Sequence, residues 1–314
     1  MTFSLLQRTQ CPTCHSKQLV PIYNESFANE DIKTYLIDAY GKSLDFDFCL
    51  LEKAQYSLLK CCDCALIFQE NIPNSEMISE IYEKWIDPDA AMHRQETYGI
   101  SYFSRYGQDI QQLLGYLKKP LYKVKVLDFG MGWGRWALMA KAFGCEAYGT
   151  ELSQQRIEYA QSHGIKMVEW DDIPACSFDV INTDQVFEHL SNPAEVLAHL
   201  RRSLAPNGVI KIAVPNSFGI RYRLHKMDWL APKGSFKSLN PVAPLEHINC
   251  FSRKSMLELA RRTGLQEVKT PLGMQYRYTS IWNSPKQVLR NLILPIYRNV
   301  LGLQNYYLFK DLSS

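Results

Sequence analysis

Three glycines at alternate positions, Gly130, Gly132 and Gly134, follow an apolar run with an acid in it, Val126-Leu127-Asp128-Phe129. Arg135 to Ala142 then reads as a helix. The pattern predicts a strand, a tight turn and a helix start. Glycine lacks a Cβ, so the turn's backbone can come within contact distance of a ligand. The unpaired N–H groups that open the next helix attract negative groups. The dinucleotide fingerprint would need glycine at 135, where Arg135 stands, which counts against a nucleotide-binding dehydrogenase. A second run, Ala147-Tyr148-Gly149-Thr150, ends in Glu151. A carboxylate there suits a ribose diol, because it accepts both hydroxyl hydrogens.

The remaining signals come in a fixed order. A short run, Lys166 to Trp170, leads into Asp171 and Asp172. Phe178-Asp179-Val180-Ile181-Asn182-Thr183 follows, then Glu188-His189-Leu190, then Leu204-Ala205-Pro206-Asn207-Gly208 before a strand from Val209 to Val214. Over roughly residues 120–270 this order resembles the class I S-adenosylmethionine-dependent methyltransferases. The resemblance implies that Asp128, Gly130, Gly132 and Gly134 hold the amino-acid part of the cofactor and that Glu151 holds its ribose. It sets Trp170 and Asp171 at the adenine, with Asp172 as the alternative acid. It also implies that Asn182, Thr183 and Gln185 line the pocket. Asn207 departs from the glycine that the family usually places before Gly208.

Cys11-Pro12-Thr13-Cys14 is one C-x2-C knuckle, and Cys61 and Cys64 form another. Four thiolates from two knuckles can take Zn²⁺ tetrahedrally, and metal binding then supplies much of the folding energy. The 46-residue gap between Cys14 and Cys61 is long for a zinc ribbon, so Cys49, Cys62 and His15 stand as alternative ligands. A four-cysteine module ahead of this cofactor domain resembles the zinc-ribbon subgroup of class I methyltransferases, which includes deoxysugar C-methyltransferases. Those enzymes carry a further C-terminal domain, for which this chain is too short. Four cysteines leave no open coordination position, so a structural role is expected.

Methyl transfer is an in-line displacement, and most of the work is to place the acceptor behind the methyl group. A hydroxyl or an acidic carbon also needs a base, typically worth ~10²–10⁴-fold in rate. His247 is the first candidate, in Pro244-Leu245-Glu246-His247-Ile248-Asn249-Cys250. Glu246-His247 resembles the Glu-His pair of the sugar C-methyltransferases, and Glu246 either orients His247 or forms a surface pair. His189 is the second candidate, read mainly as scaffold near the cofactor.

These residues need elements to position them. At 314 residues and 46% hydrophobic, the chain can build one large domain and a smaller one. No apolar run is long enough to span a bilayer. The first residues lack a signal peptide's order, so a reducing, cytoplasmic setting is expected, with paired cysteines as ligands rather than disulfides. Pro73-Asn74-Ser75 gives the cap signal of a helical lead-in from Ser75 to about Lys119, and Tyr98, Tyr102, Phe103 and Tyr106 in it either pack or contribute to the pocket. From Arg201 onward there are 18 Lys and Arg against 5 Asp and Glu, which suggests an anionic partner. Val288, Leu289, Leu292, Ile293, Ile296, Tyr297 and Val300 form one apolar stripe on a last helix kinked by Pro295. That helix packs on its own domain or a second subunit, or lies in a membrane interface.

The expected architecture is therefore α/β: a Rossmann-like seven-stranded methyltransferase sheet with a small N-terminal zinc ribbon. Residues 1–74 form the ribbon module, 75–119 a helical cover, 120–275 the methyltransferase domain and 276–314 a helical tail. The expected function is methyl transfer from S-adenosylmethionine to a small, anionic acceptor, a sugar nucleotide or glycolipid precursor. The alternatives are a quinone- or lipid-type O-methyltransferase and a non-catalytic adaptor working through the ribbon. Peripheral membrane contact through 284–303 and homo-oligomerisation stay open. Nucleic acid is disfavoured, because Asn182-Thr183-Asp184-Gln185 stands where amino-methylating enzymes place an Asn/Asp-Pro-Pro-aromatic tetrapeptide.

Overall fold

The computed structural model describes residues 4–41, 47–86, 97, 99–215, 217–278, 284–296 and 306–313. The chain divides into two compact units. One comprises residues 1–91, 187–194 and 214–259, and the other 92–186, 195–213 and 260–314.

The first unit holds strands β1 (Leu5–Gln7), β2 (Leu19–Ser26), β3 (Gln55–Cys61), β4 (Ile67–Gln69) and β5 (Asn71–Pro73). β2, β3 and β4 make an antiparallel sheet, extended by the short strand Asn249–Cys250 on β4. β1 pairs separately with β5. Helix α1 (Glu30–Tyr40) starts at Asn29, whose side chain accepts from the Asp31 N–H. Helix α2 (Ser75–Glu80) starts at Asn74, which accepts from Met77. Each cap satisfies a backbone donor that the helix itself leaves unpaired. Phe27, Leu36, Tyr56, Leu58 and Trp85 share a core with Ile220, Trp229, Val242 and Leu245. The unit is therefore more than a ribbon, because late segments of the chain complete its core. The expected boundary at 74 does not separate a free-standing module.

The second unit is built on one seven-stranded sheet. Its strands are β6 (Lys125–Phe129), β7 (Glu146–Thr150), β8 (Lys166–Met167), β9 (Phe178–Asp184), β10 (Leu204–Ala213), β11 (Leu265–Glu267) and β12 (Tyr306–Asp311). They lie in the order β11-β12-β10-β9-β6-β7-β8. The inner pairs are parallel, and β12 runs antiparallel between β10 and β11. This is the expected Rossmann-like methyltransferase sheet. Parallel strands need crossover helices: α3 (Ile100–Leu117) precedes β6, α4 (Arg135–Ala142) follows it, and α5 (Gln154–Ser162) follows β7. Val126, Ala137, Ala140, Ala147 and Val180 pack together with Ile110 and Leu113 of α3.

Two expectations need correction. The segment 276–314 is not a helical tail alone. Helix α6 covers Pro285–Ile296, but Tyr306–Asp311 returns as β12 inside the sheet. Its Tyr307 and Phe309 are buried, so burial of a β-prone run decides the outcome. The helical lead-in 75–119 is likewise divided between the two units. Tyr98, Tyr297 and Val300 lie outside the described residues.

Candidate functional site

In the second unit, the glycine turn lies at the carboxyl ends of parallel strands, where open α/β sheets bind ligands. Gly130 and Gly132 both have left-handed backbone, with φ of +67° and +55°. A Cβ on Gly130 would come within 2.7 Å of Val186, whereas one on Gly132 would enter open space. Gly132 thus presents bare backbone to a cradle. The Gly130 N–H donates to Thr150 Oγ1 at 3.1 Å and the Gly132 N–H donates to Glu151 Oε2 at 2.8 Å. The negative group at this turn is therefore the chain's own Glu151. Its other oxygen accepts from Leu152 and Ser153 N–H, which fixes the carboxylate before any ligand arrives.

Asp128 is buried and accepts from the Asn182 side-chain amide at 2.7 Å and from the Ala137 N–H at 3.2 Å. Burial pushes its carboxyl up to about 7, against those two hydrogen bonds that favour the anion. Asn182 is itself oriented by Lys211, whose ammonium donates to its side-chain oxygen at 3.1 Å and pairs with Asp109 on α3. Thr183 is buried, and Gln185 has left-handed backbone just past β9. Trp170 is half-exposed at the start of a short 3-10 turn and stacks on His199, with ring centroids 3.7 Å apart. Asp171 and Asp172 follow it, both exposed. Buried or fixed acids beside bare backbone suit a cationic ligand with a diol better than a phosphate.

In the first unit, Glu188, His189 and His247 come together. One ligand atom from each lies within 4.8 Å of the others. His189 Nδ1 is 2.8 Å from the Glu246 carbonyl oxygen and 2.7 Å from the Tyr82 hydroxyl. His247 Nδ1 bonds the Asn240 carbonyl. A carbonyl only accepts, so each Nδ1 carries a proton and each neutral ring offers its Nε2 lone pair. Burial lowers the pKa of both rings, that of His247 well below the usual histidine range, with His189 adding to the effect. Glu246 takes neither expected role toward His247. Its carboxylate accepts from Tyr40 at 2.6 Å, and its backbone carbonyl orients His189. Glu188 is wholly buried, a rare place for a carboxylate unless it is paired. It was not singled out from the sequence, although an acid within Val186-Phe187-Glu188-His189-Leu190 is the signal that marks it.

The four expected metal ligands also converge in this unit. Cys11 and Cys64 Sγ are 3.5 Å apart, and Cys14 and Cys61 Sγ are 3.4 Å apart. All four are buried and reduced, and their sulfurs lie within 4.8 Å of one another. Cys49 and Cys62 are exposed instead. The 46-residue gap is bridged because β2 pairs with β3, setting Leu19 opposite Cys61.

Residues 98–270 match the family model described as a methyltransferase domain. The chain belongs to this family. With the strand order above, it is a class I S-adenosylmethionine-dependent methyltransferase. The ubiquinone biosynthesis O-methyltransferase of Maricaulis maris (strain MCS10) is 25% identical over 224 residues, covering 64% of this chain and 82% of that protein. The protein of the same name in Thiobacillus denitrificans (strain ATCC 25259 / T1) is 27% identical over 176 residues, covering 51% and 75%. The plantazolicin methyltransferase BpumL in complex with SAH is similar in structure, with a TM-score of 0.46 and 17% identity, covering 75% of this chain and 94% of that one.

The aromatics of the methyltransferase's α3 contact one another. Tyr102 and Tyr106 share a hydrogen bond at 2.9 Å, and Phe103 packs edge-on against Tyr102. On α6 the apolar stripe is exposed: Leu289, Leu292, Ile293 and Ile296 are each about half open to solvent or more. Among the described residues, no helix is long and apolar enough to cross a membrane.

Proposed function

We propose that the methyltransferase transfers the methyl group of S-adenosylmethionine to a hydroxyl of a quinone-precursor type acceptor. The observation that carries this reading is the set of relatives named ubiquinone biosynthesis O-methyltransferase, matched over 82% and 75% of their length in the two cases above. They favour it over the sugar nucleotide or glycolipid acceptor.

Asp128, Gly130, Gly132 and Gly134 hold the donor's amino-acid part, Glu151 its ribose, and Trp170 and Asp171 its adenine. Asn182, Thr183 and Gln185 line that pocket. The donor carries an electrophilic methyl on a sulfonium, so its transfer needs placement rather than activation. The acceptor hydroxyl does need to lose its proton. His247 and His189 are the groups for it, because a neutral imidazole with a fixed tautomer has a directed lone pair. Cys11, Cys14, Cys61 and Cys64 hold a structural zinc. Four thiolates close its coordination, so the zinc organises the fold and takes no part in the reaction. The exposed stripe on α6 rests on a lipid surface, where an apolar acceptor is found.

Radiolabelled donor, a hydroxylated aromatic lipid and a sugar nucleotide, each with the purified protein, test the reading. Label recovered as an O-methyl ether of the aromatic supports it. Label on the sugar nucleotide alone overturns it.

A further inference from the structure

We infer that Glu188, His189 and His247 form a second metal site, holding a divalent cation of the Zn²⁺, Co²⁺, Mn²⁺ class by one carboxylate and two imidazoles. The site is separate from the four cysteines. Two neutral imidazoles and one carboxylate are a recurrent ligand set for catalytic zinc and for non-haem iron, and they leave coordination positions open.

Three features of the first unit argue for it. The ligand atoms already lie within 4.8 Å of one another. A tetrahedral ion with ligands about 2.0–2.1 Å away needs them about 3.4 Å apart, a difference that small side-chain rotations close. The two rings meet edge to face, with centroids 4.7 Å apart, and His189 Nε2 stands 3.9 Å from Glu188 Oε1. Each ring is then braced from behind. The Nδ1–H of His189 reaches the Glu246 carbonyl, and that of His247 reaches the Asn240 carbonyl. This is how proteins fix the tautomer and aim of a metal-binding histidine. Tyr40 in turn bonds the Glu246 carboxylate, holding the residue whose carbonyl braces His189.

The cation's role, as distinct from its binding, rests on the hydroxyl-methylation reading. A bound cation would lower the pKa of a hydroxyl, so in the metal-loaded protein it would take the place of the base assigned above to His189 and His247, whose Nε2 atoms are then ligands.

The test is titration of the full-length protein, its thiolate site loaded with zinc, with Co²⁺ alone. The expected result is about one equivalent bound with visible d–d absorption and no thiolate-to-metal charge transfer. Glu188→Gln, close in shape, and His247→Ala should each weaken Co²⁺ binding about tenfold or more. Thermal melts confirm that the variants are folded, and Glu188→Gln serves alone should His247→Ala fail to fold. A folded wild type that takes up no Co²⁺ overturns the inference, as does a folded Glu188→Gln that binds it unchanged. No acceptor or methyl donor is present, so the outcome is independent of the acceptor reading. Tight Co²⁺ binding without methylation of an aromatic hydroxyl would overturn that reading and leave the metal site standing.

Discussion

The Glu151 carboxylate accepts a hydrogen bond from the Gly132 backbone N–H at 2.8 Å. The acid that ends the second strand and the turn that follows the first are thereby one device. The carboxylate pins the glycine backbone open, and the backbone fixes the carboxylate's angle. A ribose bound there, as proposed above, would meet an acceptor that has already lost its rotational freedom, so less entropy would be spent on binding.

Glu151→Ala should weaken S-adenosylmethionine binding by about tenfold or more, the cost of losing hydrogen bonds to a charged group. Titration calorimetry measures it. Glu151→Gln, which retains one acceptor oxygen, should fall between. Unchanged affinity in the alanine variant would remove Glu151 from the ribose role.

His247→Ala should lower turnover by about 10²–10⁴-fold and leave donor affinity unaltered. Single-turnover kinetics beside calorimetry separates the two effects. Retained turnover would make His247 a packing residue of the first unit.

Asp128 gives a pH signature. Burial raises its carboxyl from 3.8 to about 7, so the folded protein keeps a proton that the unfolded chain releases. Its contribution to stability is full below the unfolded value and is lost as pH rises through about 7. The donor's positive charges favour the carboxylate, so donor affinity should rise with pH over the same range and binding should release a proton. Calorimetry near the middle of that range, in buffers of different ionisation enthalpy, reads the proton directly. Identical heats in all buffers, or an Asp128→Asn variant with the same pH dependence, would count against this assignment.

Metal analysis of the purified protein should find zinc that depends on Cys11, Cys14, Cys61 and Cys64. Cys61→Ser should lose it and lower the melting temperature, because the sulfurs tie the first knuckle to the end of β3. A metal-free protein of undiminished stability would exclude a structural zinc.

Leu292→Glu with Ile293→Glu should abolish co-sedimentation with anionic lipid vesicles while leaving donor binding intact. Both side chains are about half exposed on α6, so the fold tolerates the change. Equal sedimentation of variant and wild type would remove the helix from lipid contact.

The parts legible in the sequence were those with short-range signals. Gly130, Gly132 and Gly134 announce a turn because few other residues adopt its backbone. The C-x2-C knuckles announce a ligand set, though the sequence could not say which cysteines close it, since that depends on the β2–β3 register. Glu188 was missed because its burial is a tertiary fact: local sequence does not reveal that Asn249 and His247 return beside it. β12 was missed for a similar reason. Tyr306 to Asp311 follows a long helical stripe, and only pairing with β10 and β11 makes it a strand.

The activity proposed for this methyltransferase is methylation of a hydroxyl. Wild-type protein and His247→Ala, incubated with methyl-labelled S-adenosylmethionine and a hydroxylated aromatic lipid, test it most directly. The wild type should give a labelled O-methyl ether and the variant background label. A wild type that binds the donor but leaves every such hydroxyl unlabelled, while labelling a sugar nucleotide, would contradict it.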